Sequence, residues 1–224
     1  MIRKLINIIK EWRFAKSQSF LLMKEGTLLN AFYKSKTIFL HIPKTAGTSL
    51  VHAIYGDVKG GGHRSISFYR YILAKKIEEY FTFCFVRNPY SRLYSTYQFL
   101  SKGGVNQHDR LAFKMHLEKY NDFEDFVING LNTKIIYEIV HLIPQTYFLC
   151  DKSSKLCVDY IGKFENLDHD VMMLSKVLKK RIVLSHLNKN RNKKNSEIYT
   201  RQMKLKVNKL YAKDFEILNY KKEC

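Results

Sequence analysis

The tightest constraint in this 224-residue chain is a pair of short segments that are apolar on both faces, each closed by a proline-containing loop. Thr37-Ile38-Phe39-Leu40-His41-Ile42 is rich in β-branched and aromatic residues and stops at Pro43. Phe81-Thr82-Phe83-Cys84-Phe85-Val86 repeats the pattern and stops at Arg87-Asn88-Pro89. A strand without a polar face belongs inside a parallel sheet, where helices cover both sides. Helical spacing follows each loop: Leu50, Ala53 and Ile54 after the first, with Thr48 and Ser49 as suitable N-caps, and Leu93, Tyr97 and Leu100 after the second. Further helices are expected over 66–80, 123–129, 167–180 and 198–214, with a short strand over 158–164. The four glycines in 56–62 read as a mobile connection. This alternation predicts an α/β fold, a three-layer α/β/α sandwich around a mainly parallel central sheet. Ligands in such folds bind at the carboxyl ends of the strands, where both loops lie.

Charge narrows the ligand class. The formal charge is +19, distributed as +6 over residues 1–36, +2 over 37–175 and +11 over 176–224. Cationic ends imply polyanionic company: anionic lipid, an acidic glycan, a phosphate-rich cofactor or nucleic acid. Ile2, Leu5, Ile6, Ile9 and Trp12 share one face of a basic amphipathic helix, read either as packed on the domain or as lying in a membrane interface. Residues 1–35 are therefore an N-terminal extension and 36–224 a single domain. No apolar run reaches the roughly 18 residues of a membrane span, and no cleavage site follows the start. Four scattered cysteines suggest neither a zinc site nor a disulfide framework. The expected location is cytoplasmic, peripheral to the inner membrane face.

The loop Pro43-Lys44-Thr45-Ala46-Gly47-Thr48-Ser49 has the composition of an anion cradle. Gly47 permits close backbone approach, the following helix offers N–H groups and a positive dipole, the hydroxyls donate, and Lys44 brings a charge. It is not a Walker A loop, because the lysine precedes the glycine, which disfavours a nucleoside triphosphatase. In the second loop Arg87 ends a buried strand and Ser95 sits two turns into the next helix, a fork and a hydroxyl suited to a phosphate. Arg92 is read as structural, pairing with an acid on the helix surface.

Together, HIPKTAGTS and FVRNPYSRLYSTY resemble the two cofactor motifs of the Golgi-type carbohydrate sulfotransferases, particularly the family that includes heparan sulfate 2-O-sulfotransferase and its bacterial relatives. Pro144-Gln145, the stretch from Val158 to Leu167, His186-Leu187-Asn188 and Tyr211-x-x-Asp214 with Asn219-Tyr220 extend the likeness over roughly 36–221. The resemblance implies a P-loop-hydrolase-like sulfotransferase fold. It also implies 3′-phosphoadenosine-5′-phosphosulfate as donor and sulfuryl transfer to a hydroxyl of a saccharide, as polysaccharide or glycolipid. In that scheme the Lys44 loop holds the 5′-phosphosulfate, Arg87 and Ser95 hold the 3′-phosphate, and no metal is needed. His63, in Gly62-His63, matches the place of the base in 2-O-type relatives. His52 is expected to pack or face solvent, and His41, inside the strand, to be core or a hydrogen-bonded support for the loop. In the basic run 189–194, Arg191 and Lys194 are candidates to close on the cofactor.

Rival functions are a nucleotide-dependent phosphotransferase of related fold, a member that binds donor without turnover, and a nucleic-acid binder. The last lacks any recognisable reading motif, so no nucleic acid is expected as partner.

Overall fold

A computed structural model describes residues 2–184 and 198–224, with side chains from residue 9 onward. In chain order the elements are α1 (Ile2–Gln18), α2 (Leu28–Ser35), β1 (Thr37–Leu40), α3 (Gly47–Tyr55), α4 (Ile66–Leu73), β2 (Phe81–Val86), α5 (Pro89–Ser101), α6 (Gln107–His116), α7 (Phe123–Asp125), α8 (Thr133–Glu138), α9 (Gln145–Leu149), β3 (Tyr160–Lys163), α10 (Leu167–Val177), α11 (Arg201–Leu210) and α12 (Ala212–Ile217). They form two compact units: residues 2–42, 46–85 and 147–184, and residues 43–45, 86–146 and 198–224.

The first unit holds a three-stranded parallel sheet in the order β1-β2-β3. Thr37 lies opposite Phe81 and Leu40 opposite Cys84. Ile38, Phe39, Leu40, Phe83, Cys84 and Phe85 are fully buried, as two-faced apolar strands require. The mixed α/β class therefore matches the sequence reading, with a sheet of only three short strands. Asp159 ties β3 to β2, accepting from the Thr82 N–H and hydroxyl, both at 2.7 Å. Gly162 is a glycine because a Cβ there would come within 2.4 Å of the Phe85 ring.

Three local readings need correction. Helix α3 begins at Gly47, with Ala46 as a cap that offers no side-chain bond, so Thr48 and Ser49 lie in its first turn and are not its caps. The helix expected over 66–80 ends at Leu73, because Ala74 takes a left-handed φ of 52° and a 3₁₀ turn completes the segment to Glu79. In α1 the expected packing face is reversed. Ile9 and Trp12 are exposed, while Ala15 is fully buried and Glu11 accepts the Ser65 hydroxyl at 2.6 Å. Glu11 therefore looks inward at α4 because its carboxylate has a hydroxyl partner there.

The second unit is helical around α5. Asn88 caps α5 through the Tyr90 N–H, and Pro89 takes the first turn, where a missing N–H costs nothing. Tyr90, Leu93 and Leu100 pack with Phe126, Met203, Val207, Tyr211 and Phe215 in one core. Arg92 is structural but pairs with no acid: buried, it donates to the carbonyls of His141 (3.1 Å) and Ile143 (2.9 Å). The helix expected over 198–214 is broken at Tyr211, whose hydroxyl instead donates to Leu142 O at 2.8 Å.

Past that break sits Asp214, fully buried. Its carboxylate accepts from Gln145 N (2.8 Å), Thr146 N (2.9 Å) and the Thr146 hydroxyl (2.8 Å), capping α9. The Gln145 amide then makes a reciprocal pair with the Arg87 backbone, accepting from Arg87 N at 2.8 Å and donating to Arg87 O at 2.7 Å. Asp214→Ala would strand three buried donors at about 1 kcal/mol or more each. Chemical denaturation should therefore show a loss of roughly 3 kcal/mol in stability, whereas Asp214→Asn, which keeps one acceptor oxygen, should lose less.

Candidate functional site

The loop after β1 is shaped by backbone conformation more than by glycine. Lys44 (φ 68°) and Ala46 (φ 65°) both adopt the left-handed region. Such a conformation costs a non-glycine residue on the order of 1 kcal/mol or more. Two left-handed residues on either side of Thr45 bend the backbone sharply at this point. The chain then enters α3, whose first-turn N–H groups have no side-chain cap and carry the positive end of the helix dipole. Thr45 is fully buried, Thr48 is exposed and Ser49 is half-buried.

Gly47 serves a purpose the sequence did not suggest. A Cβ at this position would lie 1.9 Å from His41 Cδ2, so the glycine makes room for an imidazole and not only for a ligand. His41, expected inside the strand, lies just past the end of β1, which stops at Leu40, and is half-buried. Its ring packs on Gly47 and meets the His63 ring edge-on, with centroids 4.5 Å apart at 65°. His63 Nδ1 lies 2.7 Å from the His41 carbonyl oxygen. A carbonyl can only accept, so Nδ1 carries the proton, and in the neutral ring the lone pair is at Nε2, the tautomer a general base needs. An open cleft of about 300 Å³ adjoins this loop, lined by Leu28, His41, Thr48, Val51, His52 and the glycine-rich turn. His52 faces solvent and pairs with Asp57 at 2.9 Å.

In the second unit Arg87 and Lys44 come together. Arg87 Nη1 donates to the Lys44 carbonyl at 3.2 Å, and its Nε donates to the Ser91 hydroxyl at 3.1 Å. Ser95 is one turn beyond Ser91 on α5 and therefore on the same face, half-buried. The Lys44 ammonium lies 3.9 Å above the centroid of the Phe99 ring. Burial, and then the Arg87 charge, push its pKa down to about 8, partly offset by the Asp109 carboxylate.

Phe99, Asp109 and His141 are the residues that sequence reasoning missed. The Phe99 ring stands edge-on to His141, with centroids 4.9 Å apart, and His141 Nε2 is 2.9 Å from Asp109 Oδ1. Burial lowers the His141 pKa against the pull of Asp109. Burial also works against the charge of Asp109, but bonds from the Val105 N–H and His141 outweigh it and hold its pKa below the usual value. A buried histidine 32 residues from its acid carries no signal in one sequence.

Arg191 and Lys194 lie outside the described residues, as do His186 and Asn188. Among the described residues, no group of three or more His, Cys, Asp or Glu could hold a metal ion. None of the described helices is long and apolar enough to cross a membrane.

Comparison with known proteins covers the region that holds both loops. Residues 30–221 match the model of the Sulfotransferase family. The chain belongs to the sulfotransferase family. An uncharacterized protein of Archaeoglobus fulgidus is 31% identical over 107 residues, 47% of this chain and 71% of that protein. No solved structure matches at a significant level. Membership of this sulfotransferase family supports sulfuryl transfer as the general activity.

Two substitutions test this geometry. Gly47→Ala should destabilise the first unit by roughly 1–3 kcal/mol, the usual range for overpacking, read as a lowered melting temperature. Adding His41→Ala should recover part of that loss, because the clash is with the His41 ring.

Proposed function

We propose that the protein transfers the sulfuryl group of 3′-phosphoadenosine-5′-phosphosulfate to a hydroxyl of a saccharide, as polysaccharide or glycolipid. The observation that carries this reading is the crowding of Lys44 and Arg87. The Arg87 guanidinium is bonded to the Lys44 carbonyl, and the charge of Arg87 is, after burial, the second cause of the lowered Lys44 pKa. Binding of a phosphate or phosphosulfate relieves that repulsion. Within the second unit the donors suit such a ligand: the ammonium of Lys44, the guanidinium of Arg87 and the hydroxyls of Ser91 and Ser95.

The donor supplies an activated sulfuryl group and an anionic leaving phosphate. Lys44 and the amides of Ala46, Gly47, Thr48 and Ser49 neutralise the charge that builds on that phosphate as its bond to sulfur breaks. Pro43 and Thr45 belong to the same loop, with Thr45 fully buried. Arg87 with Ser95 takes the 3′-phosphate, which separates this donor from ATP. His63 Nε2 accepts the acceptor hydroxyl proton as the new oxygen–sulfur bond forms. The saccharide acceptor rests on the motif resemblance, and the cleft beside the 56–62 turn is our candidate to hold it. On this reading the acceptor is presented near an anionic membrane surface.

Calorimetry with 3′-phosphoadenosine-5′-phosphate, and ATP as control, tests the donor site. Binding should prefer the 3′-phosphate and weaken about tenfold or more in Lys44→Ala and Arg87→Ala. Binding indifferent to the 3′-phosphate or to both substitutions would overturn the reading. Lys44 is cationic below its pKa of about 8, so affinity should fall as pH rises above that value in wild type. The profile should be flatter in Lys44→Ala. His63→Ala should keep nucleotide affinity and lose roughly 10²-fold or more in turnover.

A further inference from the structure

Helix α1 packs on α4 and yet leaves a cationic, apolar face uncovered. Ala15 is buried, Glu11 bonds Ser65, and Phe14 meets Phe68 with ring centroids 5.9 Å apart, so this side of the helix is committed to the first unit. Across the helix, Ile9, Trp12, Arg13 and Lys16 fall within about 100° of one another at 3.6 residues per turn. Ile9 is 43% exposed and Trp12 46%. The chain continues through the 3₁₀ turn Ser19–Leu22 and adds Phe20 at 59% and Met23 at 64% exposure. Large apolar side chains this exposed, and this close in sequence, are a feature that folding alone does not require.

The charges around them have one sign. Lys10, Arg13, Lys16 and Lys24 are exposed, while Glu11 is turned inward and Glu25 is bonded to Lys34 at 2.8 Å. A tryptophan and apolar side chains flanked by lysines and arginine suit the boundary between lipid headgroups and acyl chains. There the rings enter the interface and the cations meet anionic headgroups. We propose that the face formed by Ile9, Trp12, Phe20 and Met23, with Arg13 and Lys16, docks the protein on an anionic lipid bilayer. None of these residues is assigned to the donor, and the test uses neither donor nor acceptor. Its failure therefore leaves the sulfuryl-transfer reading intact.

Trp12 is the chain's single tryptophan, so its fluorescence reports this face alone. The full-length protein would be mixed with phosphatidylcholine vesicles and with vesicles containing about one-third phosphatidylglycerol, following emission and co-sedimentation. The expected result is a blue-shifted Trp12 and binding to anionic vesicles that is about tenfold or more tighter than to phosphatidylcholine, weakening as salt rises. Phe20→Ser with Met23→Ser, and separately Arg13→Glu with Lys16→Glu, should each reduce binding about tenfold. Their melting temperatures should be unchanged, since all four side chains are exposed. No binding, equal binding to both vesicle types, an unshifted Trp12 in sedimented protein, or unaltered affinity in both double variants would overturn the proposal. A Trp12 shift that depends on protein concentration without lipid would also overturn it, assigning the face to a second copy of the chain.

Discussion

The reciprocal pair of hydrogen bonds between the Gln145 amide and the Arg87 backbone is the constraint on which the second unit's chemistry depends. It fixes the main chain where β2 ends and leaves the guanidinium to reach Ser91 and the Lys44 carbonyl. Gln145 is itself held by Asp214, fully buried and supplied with three donors. Residues more than 120 positions apart thus orient one arginine through a chain of satisfied polar groups. Buried networks of this kind specify a geometry when every member has its partner.

Around that anchor the site stores electrostatic and conformational stress. Lys44 and Ala46 occupy left-handed backbone, and the Lys44 ammonium sits beside a second cation over the Phe99 ring. Left-handed backbone and crowded like charges persist only where the surrounding structure holds them. On the proposed reading an arriving anion relieves the repulsion between the cations. The His41 ring occupies the space that a Cβ at Gly47 would fill, and its carbonyl sets the tautomer of His63.

How much of this could be read from the chain varies with the range of the interaction involved. The two strands were legible because apolar residues on both faces have few other solutions, although the first, read over 37–42, ends at Leu40, and the loops were legible because proline, glycine, lysine and hydroxyls cluster within seven positions. Helix α5 was legible from its period and from Asn88-Pro89 at its start. The start of α3 was misplaced because a threonine and a serine look like caps, while the true cap, Ala46, is chosen by backbone conformation and leaves no trace in composition. The face of α1 was reversed because hydrophobic periodicity shows which residues share a side, not which side finds a partner. Glu11 and Ala15 won that role through Ser65 and the surface of α4.

By itself, then, the sequence determined the mixed α/β class, the position of two loops at strand ends and the excess of positive charge, all properties set within a few residues. Two of its long-range marks, Pro144-Gln145 and Tyr211-x-x-Asp214, were visible only as resemblance, without a reason. The tertiary structure supplied the reason, because a buried carboxylate and a buried amide act only once distant segments meet and exclude water. It alone decided that Phe99 lies beneath the Lys44 ammonium, that Asp109 pairs with His141, and that the glycine at position 47 answers to His41. Those contacts join residues dozens of positions apart or turn on side-chain volume in three dimensions, and neither is encoded in local spacing.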